Sequence, residues 1–127
     1  MLKARDIMTK EVITISPDKT LDEAIRTLVD NKISGMPVCD DKKRVLGIIS
    51  EKDILNFVFS GNAKTTTVGE AMSKDTISFT SDTDIDKISL LMSEKKIRRV
   101  PIIDNGMLVG IVSRRSIIRI VLDMPNK

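Results

Sequence analysis

Few of the 127 residues carry the chemistry that a catalytic site draws on. The chain has no histidine and one cysteine, Cys39. Imidazole acid–base catalysis, imidazole metal ligation and an imidazole pH switch therefore drop out together. No pair of carboxylates and no cysteine-centred constellation at a recognisable spacing takes their place, so an enzyme is not expected and no metal site is expected. Two short stretches remain. In Gly47-Ile48-Ile49-Ser50-Glu51-Lys52-Asp53 an apolar run turns into a polar one. Ser50 and Asp53 there have the spacing of a helix N-cap and an acid in the first turn. The same geometry offers backbone N–H donors and positive potential to an anionic ligand. The second stretch is Arg98-Arg99, close behind Lys95-Lys96. It is a pair of guanidinium forks suited to phosphate, or else a solvated basic face.

The elements that position these residues come as an internal repeat. Met8-Thr9-Lys10-Glu11-Val12-Ile13-Thr14 returns as Met72-Ser73-Lys74-Asp75-Thr76-Ile77-Ser78, 64 residues on. At the same spacing Leu28 meets Met92, Lys32-Ile33 meets Lys96-Ile97, Pro37 meets Pro101 and Asp40 meets Asp104. Gly47-Ile48-Ile49-Ser50 then matches Gly110-Ile111-Val112-Ser113 after one residue is dropped, a change that a turn tolerates. A repeat that small buries too little surface to be stable alone, so two copies are expected to cover each other. The first copy spans 4–60, a polar connector 61–67 and the second copy 68–122.

Within each copy the pattern predicts strand, helix, strand, strand, helix. Val12–Ile15 is short and β-branched and stops at Ser16-Pro17, as a strand does. Thr20-Leu21-Asp22-Glu23 is a capping box in which Glu23 reaches back to the cap. Leu21, Ala24, Ile25 and Leu28 form one helical face, repeated by Ile85, Ile88 and Met92 behind a cap at Asp84. A hairpin follows, with Pro37 or Pro101 opening its first strand. In the second copy Asn105-Gly106 supplies the positive φ that a tight turn needs. The last helix carries Ile54, Leu55 and Val58 in one copy and Ile117, Ile118 and Val121 in the other.

Composition is that of a globular chain, with 41% hydrophobic and 31% charged residues. Aromatics are 2%, three Phe without Trp or Tyr, so the core must be aliphatic and any bound base must sit between aliphatic walls. Met36, Met72 and Met92 read as core filling. Cys39 reads as buried packing and fits a reducing compartment. The longest apolar runs fall far short of a membrane helix, and the N-terminus lacks the apolar stretch of a signal peptide. A cytoplasmic location follows as the expectation. The net charge of +3 is a thin basis for nucleic-acid binding, and acidic residues are interspersed throughout.

This twice-repeated order, with Pro-Val/Ile-x-Asp followed by Gly-h-h-Ser-x-x-Asp, resembles a tandem pair of CBS domains, a Bateman module, over roughly residues 4 to 122. The resemblance implies an α/β (α+β) fold of two pseudo-symmetric repeats packed as one module. It implies a regulatory role in which AMP, ADP, ATP or S-adenosylmethionine binds in clefts between the copies, with no cofactor required. In such modules the final Asp holds the ribose hydroxyls and the Ser helps bind ribose or phosphate. Carried over, Ser50 and Asp53 join Thr76 and Ile77 from the opposite first strand, and Arg98, Arg99 and Val100 before Pro101. The second cleft combines Ser113, Arg114 and Ser116 with Val12, Ile13, Ser34, Met36 and Pro37. Here Ser116 stands where the Asp belongs, and Ser34-Gly35-Met36 replaces Arg98-Arg99-Val100. The two clefts are therefore expected to be unequal, with the Asp53 cleft stronger.

With five residues after Leu122 and few before the first copy, the readout is expected to pass to a regulated protein in trans or through self-association. The family implies a homodimer through its helices, and Phe57, Phe59, Ile117, Ile118 and Val121 offer surplus apolar surface for it. The rival readings are a structural dimerisation module with silent clefts and, further off, a nucleic-acid binder.

Overall fold

The computed structural model describes residues 1–59 and 62–123. In chain order the elements are α1 (Ala4–Ile7), α2 (Leu21–Asn31), β1 (Gly35–Cys39), β2 (Val45–Ser50), α3 (Glu51–Val58), α4 (Val68–Ala71), α5 (Ile85–Lys95), β3 (Arg99–Asp104), β4 (Met107–Ser113) and α6 (Arg114–Asp123). They sort into two compact units, Ile13–Thr76 on one side and Met1–Val12 with Ile77–Lys127 on the other.

The unit of residues 13–76 is built on the antiparallel hairpin β1–β2, whose register sets Gly35 opposite Ser50 and Pro37 opposite Ile48. Both edges of the hairpin are covered. Ile15 lies parallel to β1, donating its N–H to Pro37 O and accepting from Cys39 N. On the far edge Ile48 and Ser73 exchange both backbone hydrogen bonds at 2.9 Å. Edges closed in this way do not template further pairing. The expected strand at Val12–Ile15 thus contracts to one bridging residue, because only Ile15 of that run meets β1.

The prolines are also placed differently from expectation. Pro37 and Pro101 are third in their strands and less than 2% exposed. A proline is tolerated inside β1 because the Ile15 bridge needs the carbonyl of Pro37 and the N–H of Cys39, and makes no demand on a donor at 37. Leu21, Ala24 and Leu28 turn the buried face of α2 onto Ile15, Met36, Val38 and Ile49. Thr20 caps that helix by accepting from Glu23 N at 3.2 Å. The Glu23 carboxylate does not close the expected box; it lies 3.9 Å from Lys19 Nζ.

The unit of 1–12 and 77–127 repeats the plan on the β3–β4 hairpin. Phe79 takes the place of Ile15, and Thr9 exchanges both backbone bonds with Ile111 at 2.9 Å. Asn105 and Gly106 both have positive φ, 53° and 80°, as the turn residues predicted. Ile85, Ile88 and Met92 of α5 pack on Val100, Ile102 and Val112. Asp84 sits at the cap position of α5 without a side-chain cap bond, because its carboxylate is given to Lys3. The Met-Thr/Ser motif of each repeat therefore lies along the hairpin of the other repeat, so the chain crosses between units at 12–13 and again at 76–77.

The last helices depart from the sequence pattern. Ile54 is buried, but Leu55, one residue round the helix, is 63% exposed. None of the described side chains of α6 is fully buried, and Ile118 and Val121 face outward. Phe57 packs against the core, whereas Phe59 is exposed.

Candidate functional site

The strand-to-helix junction at Ser50–Asp53 owes its geometry to a glycine and to a neighbouring segment. A Cβ at Gly47 would stand 2.6 Å from Ser73 O and 2.9 Å from Met72 Sδ. Only glycine lets Met72-Ser73 lie this close along β2. That approach delivers the Ser73 hydroxyl to Asp53, donating to Oδ1 at 2.7 Å. The other oxygen of Asp53, Oδ2, accepts from the Ser50 N–H and the Ser50 hydroxyl, both at 2.9 Å. Ser50 Oγ in turn accepts from Asp53 N at 3.4 Å and completes a capping box. Asp53 is 8% exposed, a buried carboxylate held by three donors. A carboxylate has about four lone-pair sites, so one acceptor position remains, and a second opens if the Ser73 hydroxyl swings away.

The helix terminus is less open than the sequence implied. Glu51 N donates to Ser34 O at 2.9 Å, and the amides of Ser50 and Asp53 are taken by the box. The cap and the Ser34 carbonyl have taken three of the donors that a free helix end would have offered an anion. What the junction presents instead is an oriented, partly saturated hydrogen-bond acceptor, suited to a ligand that brings hydroxyl donors.

The equivalent junction in the other unit has no carboxylate. Gly110 makes room for Met8, whose Sδ would lie 2.6 Å from a Cβ there, and for Thr9. Ser113 Oγ accepts from Ser116 N at 3.1 Å, and the two hydroxyls are 2.9 Å apart. Arg114 N donates to Arg98 O at 2.8 Å, and Arg99 stands opposite Ser113 in the hairpin. Ser116 thus leaves this junction without the carboxylate that Asp53 supplies.

The remaining candidates divide by unit and by burial. Ser34, Met36 and Pro37 share the unit of Ser50, Asp53 and Thr76; Arg98, Arg99, Val100 and Pro101 share that of Ile77, Ser113, Arg114 and Ser116. Met36 and Val100 are at most 1% exposed and Pro37 and Pro101 less than 2%. Their side chains belong to the cores, which leaves only backbone for a ligand. Ile13 and Ile77, equivalent in the repeat, are apolar yet 39% and 38% exposed. Val12 and Thr76 beside them are half-buried, Arg98 is exposed and Arg99 half-buried. Arg114 borders a groove between α5 and α6 with Ser89, Ser93 and Ile118. Sequence reasoning missed Ser73, although its place in the Met-Thr/Ser repeat was the available signal.

Cys39 is buried, as the pattern predicted, and burial followed by the charge of Asp40 pushes its thiol pKa up. Among the described residues no group of three or more Cys, Asp or Glu side chains could hold a metal ion, and no helix is long and apolar enough to cross a membrane.

Comparison with known proteins adds independent findings. The family model of the CBS domain matches twice, at residues 4–60 and 68–123. Inosine-5'-monophosphate dehydrogenase of Methanocaldococcus jannaschii is 35% identical over 118 residues, 92% of this chain and 23% of that enzyme. A second protein of that organism is covered over 42% of its length, so the chain spans less than half of the first curated relatives it matches. Among solved structures, CBSX2 of Arabidopsis thaliana in complex with AMP superposes with a TM-score of 0.88 at 28% identity, covering 97% of this chain and 98% of that one. The CBS domain pair of protein MJ0100, in complex with 5-methylthioadenosine and S-adenosyl-L-methionine, gives a TM-score of 0.81 at 28% identity over 96% and 97% of the two chains.

Proposed function

The chain belongs to the CBS domain family as a tandem pair, and from that premise we propose that it is a regulatory module whose Ser50–Asp53 junction binds the ribose of an adenosine-containing ligand. The observation that carries this reading is the Asp53 carboxylate, oriented by Ser50 and Ser73 and with acceptor capacity left over. A ribose cis-diol brings two donors; one takes the open lone pair and the other takes the place of the Ser73 hydroxyl. The AMP complex of CBSX2 and the S-adenosyl-L-methionine complex of MJ0100 support adenosine as the shared part of the ligand. For this junction the family resemblance assigns the base to Ile77 and the phosphates to Arg98 and Arg99. The Ser113–Ser116 junction, without a carboxylate, binds more weakly, by about 1.5–3 kcal/mol for a lost charged acceptor.

The module modulates a partner protein by preferring one of two arrangements when loaded, which requires different affinity for each. It also self-associates through α3 and α6, where Leu55, Phe59, Ile118 and Val121 are 59–92% exposed.

Titration calorimetry against AMP, ADP, ATP and S-adenosylmethionine tests the ligand reading. Saturable heat is expected with at least one of them, and Asp53→Asn is expected to weaken it tenfold to a hundredfold, about 1.4–2.8 kcal/mol, the range of a hydrogen bond to a charged group. Absence of heat and of any thermal shift with all four sinks the proposal. One observation favours a second reading, a structural dimerisation module with silent junctions: three of the acceptor positions of Asp53 are already satisfied inside the protein. The same titration separates the two.

A further inference from the structure

Asp53 uses its two oxygens unequally. Oδ2 accepts twice from Ser50, through the amide and the hydroxyl, and both its lone pairs are taken. Oδ1 accepts once, from the Ser73 hydroxyl at 2.7 Å. Both acceptor positions within reach of a ligand are therefore on Oδ1: the open one, and the one that Ser73 fills. A cis-diol needs both, and Ser73 holds the second.

That hydroxyl is not what fastens its own segment. Ser73 and Ile48 exchange both backbone bonds at 2.9 Å, and Thr9 and Ile111 do the same in the other unit. Thr9 is the repeat equivalent of Ser73, and there Ser116 stands where the carboxylate would be. The segment is thus held alike in both copies, with a carboxylate to meet in one of them. Nor is Ser73 needed to aim Asp53, which the two Ser50 bonds already fix from the opposite oxygen. Ser73 is exposed, so its hydroxyl can turn to water while the backbone stays in place. What is left for the bond to do is to satisfy a buried acceptor while the junction is empty, since an unpaired one is costly.

We propose that Ser73 is a built-in competitor for the ribose, a stand-in hydroxyl that occupies Asp53 Oδ1 in the empty junction and must leave before a cis-diol binds in full. This rests on the ribose reading of Asp53 and adds what regulates that site. Two effects follow. Molecules with Ser73 in place are not competent for the full diol, so the apparent affinity falls below the intrinsic one by the fraction in which the hydroxyl has turned away. The second ligand hydroxyl also replaces a hydroxyl that was already there, an exchange that is nearly neutral. The junction therefore discriminates only weakly between ribose and 2′-deoxyribose, and removing Ser73 sharpens that choice.

Calorimetry on the full chain with two pairs of probes, AMP with 2′-deoxy-AMP and ATP with 2′-deoxy-ATP, tests this. Wild type binds the two members of a pair within about threefold of each other. Ser73→Ala tightens the ribonucleotide about tenfold and moves the deoxynucleotide by less than about threefold, so the ratio between them opens to about tenfold or more. Ser73→Thr keeps a hydroxyl, as Thr9 does in the other copy, and behaves as wild type. A Ser73→Ala variant that binds the ribonucleotide no better than wild type, or that tightens both members of a pair alike, overturns the proposal. The sign of the change separates a competitor from a residue that positions Asp53, whose loss would weaken binding. If Asp53→Asn still weakens binding in that case, the ribose reading stands without the competitor. No heat with either ribonucleotide, in wild type or in Ser73→Ala, sinks that reading for nucleotides and the proposal with it. Thermal melts check folding; should Ser73→Ala fail to fold, the wild-type pairs carry the test, and a preference for ribose of about tenfold or more overturns the proposal.

Discussion

At the scale of single residues, the contrast between Asp53 and Ser116 makes one protein its own control. Both are the third residue of a helix entered from a hairpin strand behind a serine cap. Asp53 gathers the Ser50 amide, the Ser50 hydroxyl and the Ser73 hydroxyl; the Ser116 hydroxyl lies 2.9 Å from that of Ser113. Asp53→Ala strands those three donors, and a cap with its box is worth about 0.5–2 kcal/mol. The expected loss in urea unfolding is therefore about 1–3 kcal/mol, since buried donors without a partner add their own penalty. Ser116→Asp rebuilds a box and adds an acid to a helix start, with an expected gain of about 0.3–1 kcal/mol. A neutral Asp53→Ala would mean that the network contributes nothing to stability. The cap and its acid were legible from Ser-x-x-Asp spacing. The Met-Thr/Ser repeat marked Ser73 as a recurring position, but not the carboxylate 20 residues away that its hydroxyl meets.

Among the elements, glycine positions in the hairpins report how closely another segment approaches. At Gly47 the obstruction to a side chain is backbone, Ser73 O at 2.6 Å; at Gly110 it is the flexible end of Met8, with Thr9 O at 3.0 Å. Gly47→Ala must push the Met72-Ser73 segment off β2, costing about 1–3 kcal/mol by overpacking. Gly110→Ala is the milder change, since a methionine side chain can yield. Melting both variants checks the order; equal losses would show that the Met8 side chain is as fixed as backbone. Helix faces, caps and the Asn105-Gly106 turn were readable because each depends on residues within a few positions. Two features were not. Val12–Ile15 has strand composition but finds a partner only at Ile15. Leu55 and Ile118 look like core by periodicity, yet they are 63% and 59% exposed.

Over the whole molecule, acid stability follows from carboxylates that tie distant segments in one unit, Asp84 and Asp104, and hold turns in the other, Asp18 and Asp40. Ser81 donates to Asp104 through its hydroxyl at 2.6 Å and its amide at 3.0 Å, and these bonds hold that carboxyl below the ordinary value of 3.8. Asp40 is lowered mainly by the Arg44 amide, Asp84 by Lys3 and Asp18 by the Ser16 hydroxyl. Groups with a depressed folded pKa stabilise fully above the unfolded value and lose that contribution as pH falls through the folded value. The melting temperature is therefore expected to hold from neutral pH to about pH 5 and to fall below about pH 4, with a shallower fall in Asp104→Asn. A melting temperature that rises on acidification contradicts this. The duplicated pattern made two similar units foreseeable, but sequence similarity does not say which copy of Met-Thr/Ser lies on which hairpin. Because Thr9 pairs with Ile111, and Ile48 with Ser73, one unit is one unbroken stretch and the other is assembled from both ends of the chain. On the ribosome, where chains close as they emerge, all the segments of residues 13–76 are present before the β3–β4 hairpin has been made. The first dozen residues, made earlier than any of these, must wait for a strand synthesised about a hundred positions later.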